Sequence, residues 1–501
     1  MKKVSEFLQA SSELVREAAE KKVRLRKKAR RVYAESTYAL KEAIGSSGIS
    51  TYAEIADTIY GNDAIPAGTL SSITSRLRKR TLDEIAFNDL KPILRNDYDK
   101  ARYEVQRSIL VADLFYVKGR SVTSIHIWKK TLAIARRHGF TLEACHCAMR
   151  LCYQYAFRKR QADHYNMTRM YQTLLKQAAA ESEAAKKYQG ILMLVKEKWF
   201  FSPAISHKSA AALRHTLALA RKYKTCELWL TTFRLSIYHR YITQDYKGLL
   251  RTCAKYRSFL LSNIHLQQDS RWADIALHEM NACIALRNFS YGLRAAEENK
   301  KYMRPENSNW LGYRENYFQL LMHAEEYESA KRLYDEVLNS RWRRKMSPYQ
   351  HDVWQVNFAY LHFALNDSEA IKLFTPVRFF NRLKKIKTDK EGLNFLIEVG
   401  QCMFLLAQKT SANLQEFEDN FRNYIKRHID RRQHYRSYYF ALLLLTLFKY
   451  ERDVEKAEAI GKKFYEKLKD FQHNAPRDRE ITELIPYDHL WPMMLRTMKQ
   501  G

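Results

Sequence analysis

Side chains able to bind or react occur in this 501-residue chain in three arrangements: one His/Cys cluster, adjacent carboxylates, and runs of Lys and Arg. The first is RRHGFTLEACHCAMRLC at 136–152, holding His138, Cys145, His146, Cys147 and Cys152. Thiolate and imidazole bind zinc, but a structural site needs four of them converging. If 142–156 is helical, Cys145 and Cys152 share a face while His146 and Cys147 diverge from it. The thiols therefore read as helix-core side chains, and no metal is expected. Glu297–Glu298, Glu325–Glu326 and Asp335–Glu336 are neighbours in the chain. Adjacent helical residues point about 100° apart, so no pair meets at one substrate atom, and these carboxylates read as solvated faces. The sixteen His have no Ser or Cys partner at a recognisable spacing. There is no GxxxxGK[ST], GxGxxG, HExxH or CxxC. The expectation is a non-catalytic protein without a cofactor.

The basic runs are the most informative polar feature. Lys and Arg number 86 against 55 Asp and Glu, a net charge of +31, which bears on partners rather than fold. In KKVRLRKKARR at 21–31, eight of eleven residues are basic. There Arg24, Arg26, Lys27, Lys28, Arg30 and Arg31 are candidates for contact with a polyanion. Arg76, Arg78, Lys79 and Arg80 in RLRKR form a second candidate group. Further runs are RKR at 158–160, RWRRK at 341–345, RLKKIK at 382–387 and KRHIDRRQHYR at 426–436, with Trp342, Tyr435 and Tyr438 interleaved. Cations neutralise phosphates, and aromatic rings stack on unpaired bases. A cation at a helix C-terminus also gains about 0.3–1 kcal/mol from the dipole. That second reading suits 158–160 and 341–345. The first suits 21–31 and 76–80, which share one N-terminal segment.

These side chains must be positioned by helices. Only 14 Gly and 9 Pro interrupt the chain, and 46% of residues are hydrophobic, which predicts a helical protein with a sizeable core. Residues 1–44 contain no Pro and only a weakening apolar stripe of Val4, Phe7, Leu8, Leu14, Val15 and Ala18. Residues 51–61 and 69–87 read as two helices around the turn NDAIPAG, a helix-turn-helix in outline. From about residue 96, helical hairpins begin. Their second helices open near Val122, Lys208, Tyr246, Phe289, Tyr327, Leu414 and Val454, with fainter starts near His164 and Ser368. Neighbouring starts are 38 to 46 residues apart. In the clearest unit, 313–338, Tyr313, Tyr317, Leu320 and Leu321 share one helix face, and Tyr327, Ala330, Leu333, Tyr334 and Val337 another. Breakers fall at the junctions: Ser202-Pro203, RPENSN at 304–309, Ser347-Pro348 and HNAPRD at 473–478. ITELIPYDHLWPMML, at 481–495, reads as a terminal cap covering the last hairpin face. FALLLLTLF at 440–448 is too short to cross a bilayer and reads as a core helix. The interrupted N-terminus is no secretory signal, and the seven Cys suit reduced thiols. The expected location is cytoplasmic.

An array of hairpins with Tyr327, Ala330 and Tyr334 as aromatic, Ala and aromatic resembles the tetratricopeptide repeat over roughly 100–470. Arg314 and Phe318 stand where that motif has Trp and Gly, and the period exceeds its 34 residues. The expected fold is all-α: residues 1–95 as a basic helical segment, then 96–501 as an α-solenoid of antiparallel helix pairs with a C-terminal cap. The resemblance implies a superhelical groove that binds a protein or peptide, and the charge suggests an acidic one. The alternative is a nucleic-acid-binding regulator that uses the basic N-terminal segment, with the array as sensor.

Overall fold

The computed structural model describes residues 94, 96–197, 203–303, 309–366, 393–407, 414–432, 434–450, 453–469 and 483–500. Among them are seventeen α-helices and no strand: α1 Asp97–Val117, α2 Ser121–His138, α3 Thr141–Phe157, α4 Gln161–Glu197, α5 Pro203–Tyr223, α6 Cys226–Ile242, α7 Tyr246–Ser262, α8 Asp269–Leu286, α9 Phe289–Asn299, α10 Trp310–His323, α11 Tyr327–Leu338, α12 Pro348–Ala364, α13 Leu393–Ala407, α14 Leu414–His428, α15 Tyr435–Lys449, α16 Val454–Lys469 and α17 Tyr487–Gln500. Most successive helices pack on one another, and first helices of neighbouring pairs also touch, α8 against α10 for instance. This is an all-α solenoid. The starts read at Tyr246, Phe289, Tyr327, Leu414 and Val454 are the first residues of α7, α9, α11, α14 and α16. Val122 is the second residue of α2, while His164 and Lys208 fall inside α4 and α5. Ser368 lies outside the described residues.

The chain divides into Met1–Ala178 and Ala179–Gly501, and the composition boundary at residue 95 lies at the edge of the described residues. In the first unit, Val105, Phe115, Trp128, Leu132 and Leu151 make the core. Leu110, Leu114 and Val117 of α1, and Met149, Tyr153 and Phe157 of α3, remain exposed at helical spacing. In the second unit, small contacts between α4, α5 and α6 (Ala180, Ala184, Ala220, Leu228; and Ile191, Ile205, Leu235, Ile242) lead to one continuous core running from Ala273 to Met498. All seven Cys are free thiols, five of them buried. FALLLLTLF lies in α15, with Phe440, Leu443, Leu444 and Leu447 buried. No described helix is long and apolar enough to cross a membrane.

The turns explain how so few glycines suffice. After α1 and α2 the chain enters the left-handed region at Gly119 and Gly139. At the later junctions Lys159, Lys224, Gln244, Arg287, Glu325 and Asn366 do the same, with φ between 52° and 62°. Their amides close the preceding helix: Lys224 N donates to Ala220 O at 2.9 Å, Arg287 N to Ile284 O at 3.2 Å. One residue in this conformation ends a helix and reverses the chain, so the same hairpin recurs without glycine. Ser347 with Gln350 forms a capping box at the start of α12, with Pro348 in the first turn.

The segment from Glu483 does more than cover the last pair. Trp491 of α17 lies against Gly461 of α16, where an added Cβ would meet the indole at 3.0 Å. Tyr487 stacks on Phe440 of α15 at 4.2 Å and meets the edge of Phe395 of α13. Gln319 and His323 of α10 reach the Glu483 carbonyl at 3.4 and 2.5 Å. Arg287, at the end of α8, makes two bonds to the Asp488 carboxylate, at 2.8 and 2.6 Å. Pro492 sits inside α17 and cannot donate to the carbonyl four residues back. That carbonyl, on Asp488, accepts from the Tyr465 hydroxyl at 2.9 Å instead.

Candidate functional site: a polar and aromatic patch on helices α4, α6 and α8

Helix α6 is built to face two ways. Leu228, Leu230, Leu235, Ile237 and Ile242 are buried against its neighbours. Arg234, Tyr238 and Tyr241, spaced by four and three, lie together on a face that is only half-buried. Helix α8 does the same with Asp274, His278 and Asn281, and α4 brings Tyr188. Tyr188 meets the edge of Tyr238 at 5.8 Å, Tyr238 that of His278 at 6.4 Å, and His278 packs on Tyr241 at 5.3 Å. Three successive helix pairs thus contribute one continuous row of rings.

Hydrogen bonds fix the α6–α8 side of the row. His278 Nε2 lies 3.3 Å from Asp274 Oδ1, and Nδ1 lies 2.9 Å from the Tyr241 hydroxyl. With the Nε2 proton donated to the carboxylate, Nδ1 accepts from Tyr241. Burial opposes ionisation of Asp274, but His278 and Arg234 outweigh it and hold the carboxyl below its ordinary range. Burial pushes the Tyr241 phenol well up, so it stays protonated at neutral pH. Burial opposes the Arg234 charge, yet the surrounding phenols and the Glu227 and Asp274 carboxylates raise its pKa. The patch therefore carries a lasting positive charge beside a lasting negative one, among tyrosine rings. Such a surface can grip an extended chain through ring contacts and charge-assisted hydrogen bonds.

Further along the array the first helices are occupied by the chain itself. Arg436 donates to both oxygens of Glu483, to Asp488 at 2.7 Å and to the Leu468 carbonyl at 2.9 Å. With Arg287 this makes a buried cluster of two arginines and two carboxylates. Burial favours the neutral acids, but the arginines win and hold the carboxyls of Glu483 and Asp488 low. Next to them burial drives His323 down to about 4, so it is neutral and donates Nε2–H to the Glu483 carbonyl.

Arg24, Arg26, Lys27, Lys28, Arg30, Arg31, Arg76, Arg78, Lys79 and Arg80 lie outside the described residues, as does RLKKIK. The other basic runs are placed. Arg158 donates to Ser121 at 2.8 Å, Arg160 pairs with Asp163, and 341–345 is a short 3-10 helix with Lys345 near the Trp342 ring. Arg436, which the sequence places in a basic run, is 6% exposed and structural. In the His/Cys cluster, His146 turns to Asp113 at 3.2 Å while burial pushes the Cys147 thiol up to about 12. No three His, Cys, Asp or Glu among the described residues could hold a metal. The carboxylate pairs prove partly structural: Glu297 accepts from Tyr317 at 2.5 Å and Glu336 from Arg314 at 2.6 Å. Sequence reasoning missed Tyr188, Arg234, Tyr238, Asp274 and His278. The signal was there as a polar face at helical spacing within otherwise apolar helices.

Comparison with protein-family models, curated proteins and solved structures finds no match to this chain.

Proposed function

We propose that the protein is a non-catalytic helical-repeat scaffold, tetratricopeptide-like in organisation, that holds an acidic protein or peptide segment against the polar and aromatic patch of α4, α6 and α8. The observation that carries this is the row Tyr188–Tyr238–His278–Tyr241. Its rings come from three successive pairs, are half-buried, and lie on helix faces that core packing does not consume. The net charge of +31 supplies the sign of the partner. The segment 483–500 bears on where the partner goes, because it already covers the first helices from α10 onward.

The test is fluorescence anisotropy with a short labelled peptide of alternating Glu and Tyr, its Lys–Tyr counterpart, duplex DNA and single-stranded RNA, at about 50 and 200 mM salt. The scaffold reading expects saturable binding of the Glu–Tyr peptide alone, weakened by Tyr238→Ala. Tighter binding of either nucleic acid, lost steeply with salt and on replacing Arg24, Arg26, Lys27, Lys28, Arg30 and Arg31 with Gln, would establish the nucleic-acid regulator instead.

A further inference from the structure

Helices α1 and α3 each pack one face on α2 and leave the opposite face apolar and exposed. On α1 the buried stripe is Val105, Ala112 and Phe115, and Leu110, Leu114 and Val117 lie on the other side. On α3 the buried stripe holds Ala144, Leu151 and Tyr155, and Met149, Tyr153 and Phe157 lie opposite. The two exposed stripes adjoin. Asp113 of α1 meets His146 and Arg150 of α3 at 3.2 and 3.4 Å. Leu110 and Val117 stand one turn before and after Asp113, and Met149 and Tyr153 one turn beyond His146 and Arg150. The short turns at Gly119 and Gly139 reverse the chain twice, so α1 and α3 run the same way. Val117 and Phe157, each 78% exposed, therefore share one end. At that end the turns supply Lys118, Arg120, Arg158, Lys159 and Arg160, all exposed, while Asp113 and Asp163 are paired already. A contiguous apolar patch with a polar rim marks an interaction surface, and this rim suits an acidic segment with an apolar face.

The chain itself holds such a segment. Residues 42–75 contain no Lys or Arg, in a protein with 86, and carry Glu42, Glu54, Asp57 and Asp63. Within them Tyr52, Ile55, Ile59 and Tyr60 fall on one face at helical spacing, with Glu54 and Asp57 on the other. Tyr52 to Tyr60 and Met149 to Phe157 each cover nine residues, about 12 Å of helix. We propose that residues 51–61 dock through Tyr52, Ile55, Ile59 and Tyr60 on the exposed stripes of α1 and α3, drawn there by the cationic turns. Reach agrees with this. Residues 1–93, outside the described residues, lead directly into α1, which has 21 residues and is about 32 Å long. The sequence reads 69–87 as a helix, which at about 28 Å is long enough to run back along α1 and bring 51–61 to the end that carries Val117 and Phe157. All of these residues belong to the first unit, Met1–Ala178. The unit closes its open face with its own chain, and any partner of that face must first displace it. This contact does not rest on the scaffold reading of α4, α6 and α8.

Photo-cross-linking in the full chain tests the contact. Phe157, exposed and aromatic, is replaced by p-benzoylphenylalanine, and an equal mixture of unlabelled and nitrogen-15-labelled chains is irradiated and mapped by mass spectrometry. The expected product joins position 157 to a residue of 51–61 in the same chain. Ile55→Asp with Ile59→Asp should abolish it while leaving the melting of the described helices in place. Arg158→Glu with Lys159→Glu should lower the yield severalfold at low salt, because the rim then repels the segment. Adding Glu54→Lys and Asp57→Lys to that variant should restore the yield, which a purely structural defect at the turn would not allow. Four results overturn the proposal. Cross-links between labelled and unlabelled chains assign the face to a second copy. Cross-links to other parts of the chain, or none, leave 51–61 without a place on it. A product that survives Ile55→Asp with Ile59→Asp reports chance encounter rather than docking. A yield indifferent to both charge reversals removes the role of the cationic turns.

Discussion

Two groups on α10 titrate in opposite senses. His323 is buried and neutral, its pKa pushed by burial from 6.5 to about 4. The unfolded chain takes up that proton at its ordinary value, so this contribution to stability is complete above the unfolded pKa and declines as pH falls from about 6.5 to about 4, by up to about 3 kcal/mol. His323→Gln keeps an N–H for the Glu483 carbonyl and removes the titration, so its melting temperature should fall less than the parent's between about pH 7.5 and 5. Glu315, one turn before Gln319, has no polar partner among the described residues, and burial alone pushes it up to about 6. Here the sign reverses. The cost of ionising Glu315 is absent below about pH 4.5, grows to about pH 6 and is complete above it, up to about 2 kcal/mol. Glu315→Gln should therefore be more stable than the parent at neutral pH and indistinguishable from it near pH 4. Chemical denaturation at both pH values checks this, and equal stabilities at pH 7 would refute it.

At the scale of the helix pair, the turn and the packed face are separate devices. Lys224 sits at φ 54° between α5 and α6 with its side chain in solvent. A side-chain-bearing residue is strained there and glycine is not, so Lys224→Gly should stabilise the second unit by about 0.5–1 kcal/mol, read from the denaturation midpoint. Tyr334 of α11 is 7% exposed among Phe318, Trp354 and Phe358. Tyr334→Asp buries an unpaired carboxylate in this cluster and should cost several kcal/mol, lowering the melting temperature sharply. The faces were legible in the sequence because Tyr313, Tyr317, Tyr327 and Tyr334 recur with the helical period. The turns were not, since Lys, Gln, Arg and Glu carry no mark of a left-handed conformation, and Asn366 alone has a residue type that favours it. The patch was half legible. Arg234, Tyr238 and Tyr241 show as a polar face of α6, but nothing in the chain says that Tyr188 and His278 will stand beside it.

At the scale of the whole second unit, residues 483–500 change how the array holds together. A simple solenoid is stabilised by neighbour-to-neighbour contacts. Here one segment ties α8, α10, α13, α15 and α16 to each other through Asp488, Glu483, Tyr487 and Trp491. Asp488→Ala strands Arg287 and leaves Arg436, 7% exposed at its side chain, with a single carboxylate partner. Breaking a buried ionic cluster from one side costs about 3–5 kcal/mol. Deleting 483–501 removes the tie altogether, and unfolding followed by hydrogen exchange should then split from one transition into several. A single sharp transition in the deletion variant would show the tie to be dispensable. None of this was readable from a period of about 40 residues, because the partners lie up to 201 residues apart.

That separation sets a timetable for the chain as it is made. Arg287 leaves the ribosome 201 residues before the carboxylate that will hold it, roughly 10–40 s earlier at 5–20 residues per second. For that interval α8 and α10 present to the cell surfaces that the finished protein keeps hidden, and whatever shields nascent chains must shield these. The exposure closes only when residues 483–500 have emerged and docked.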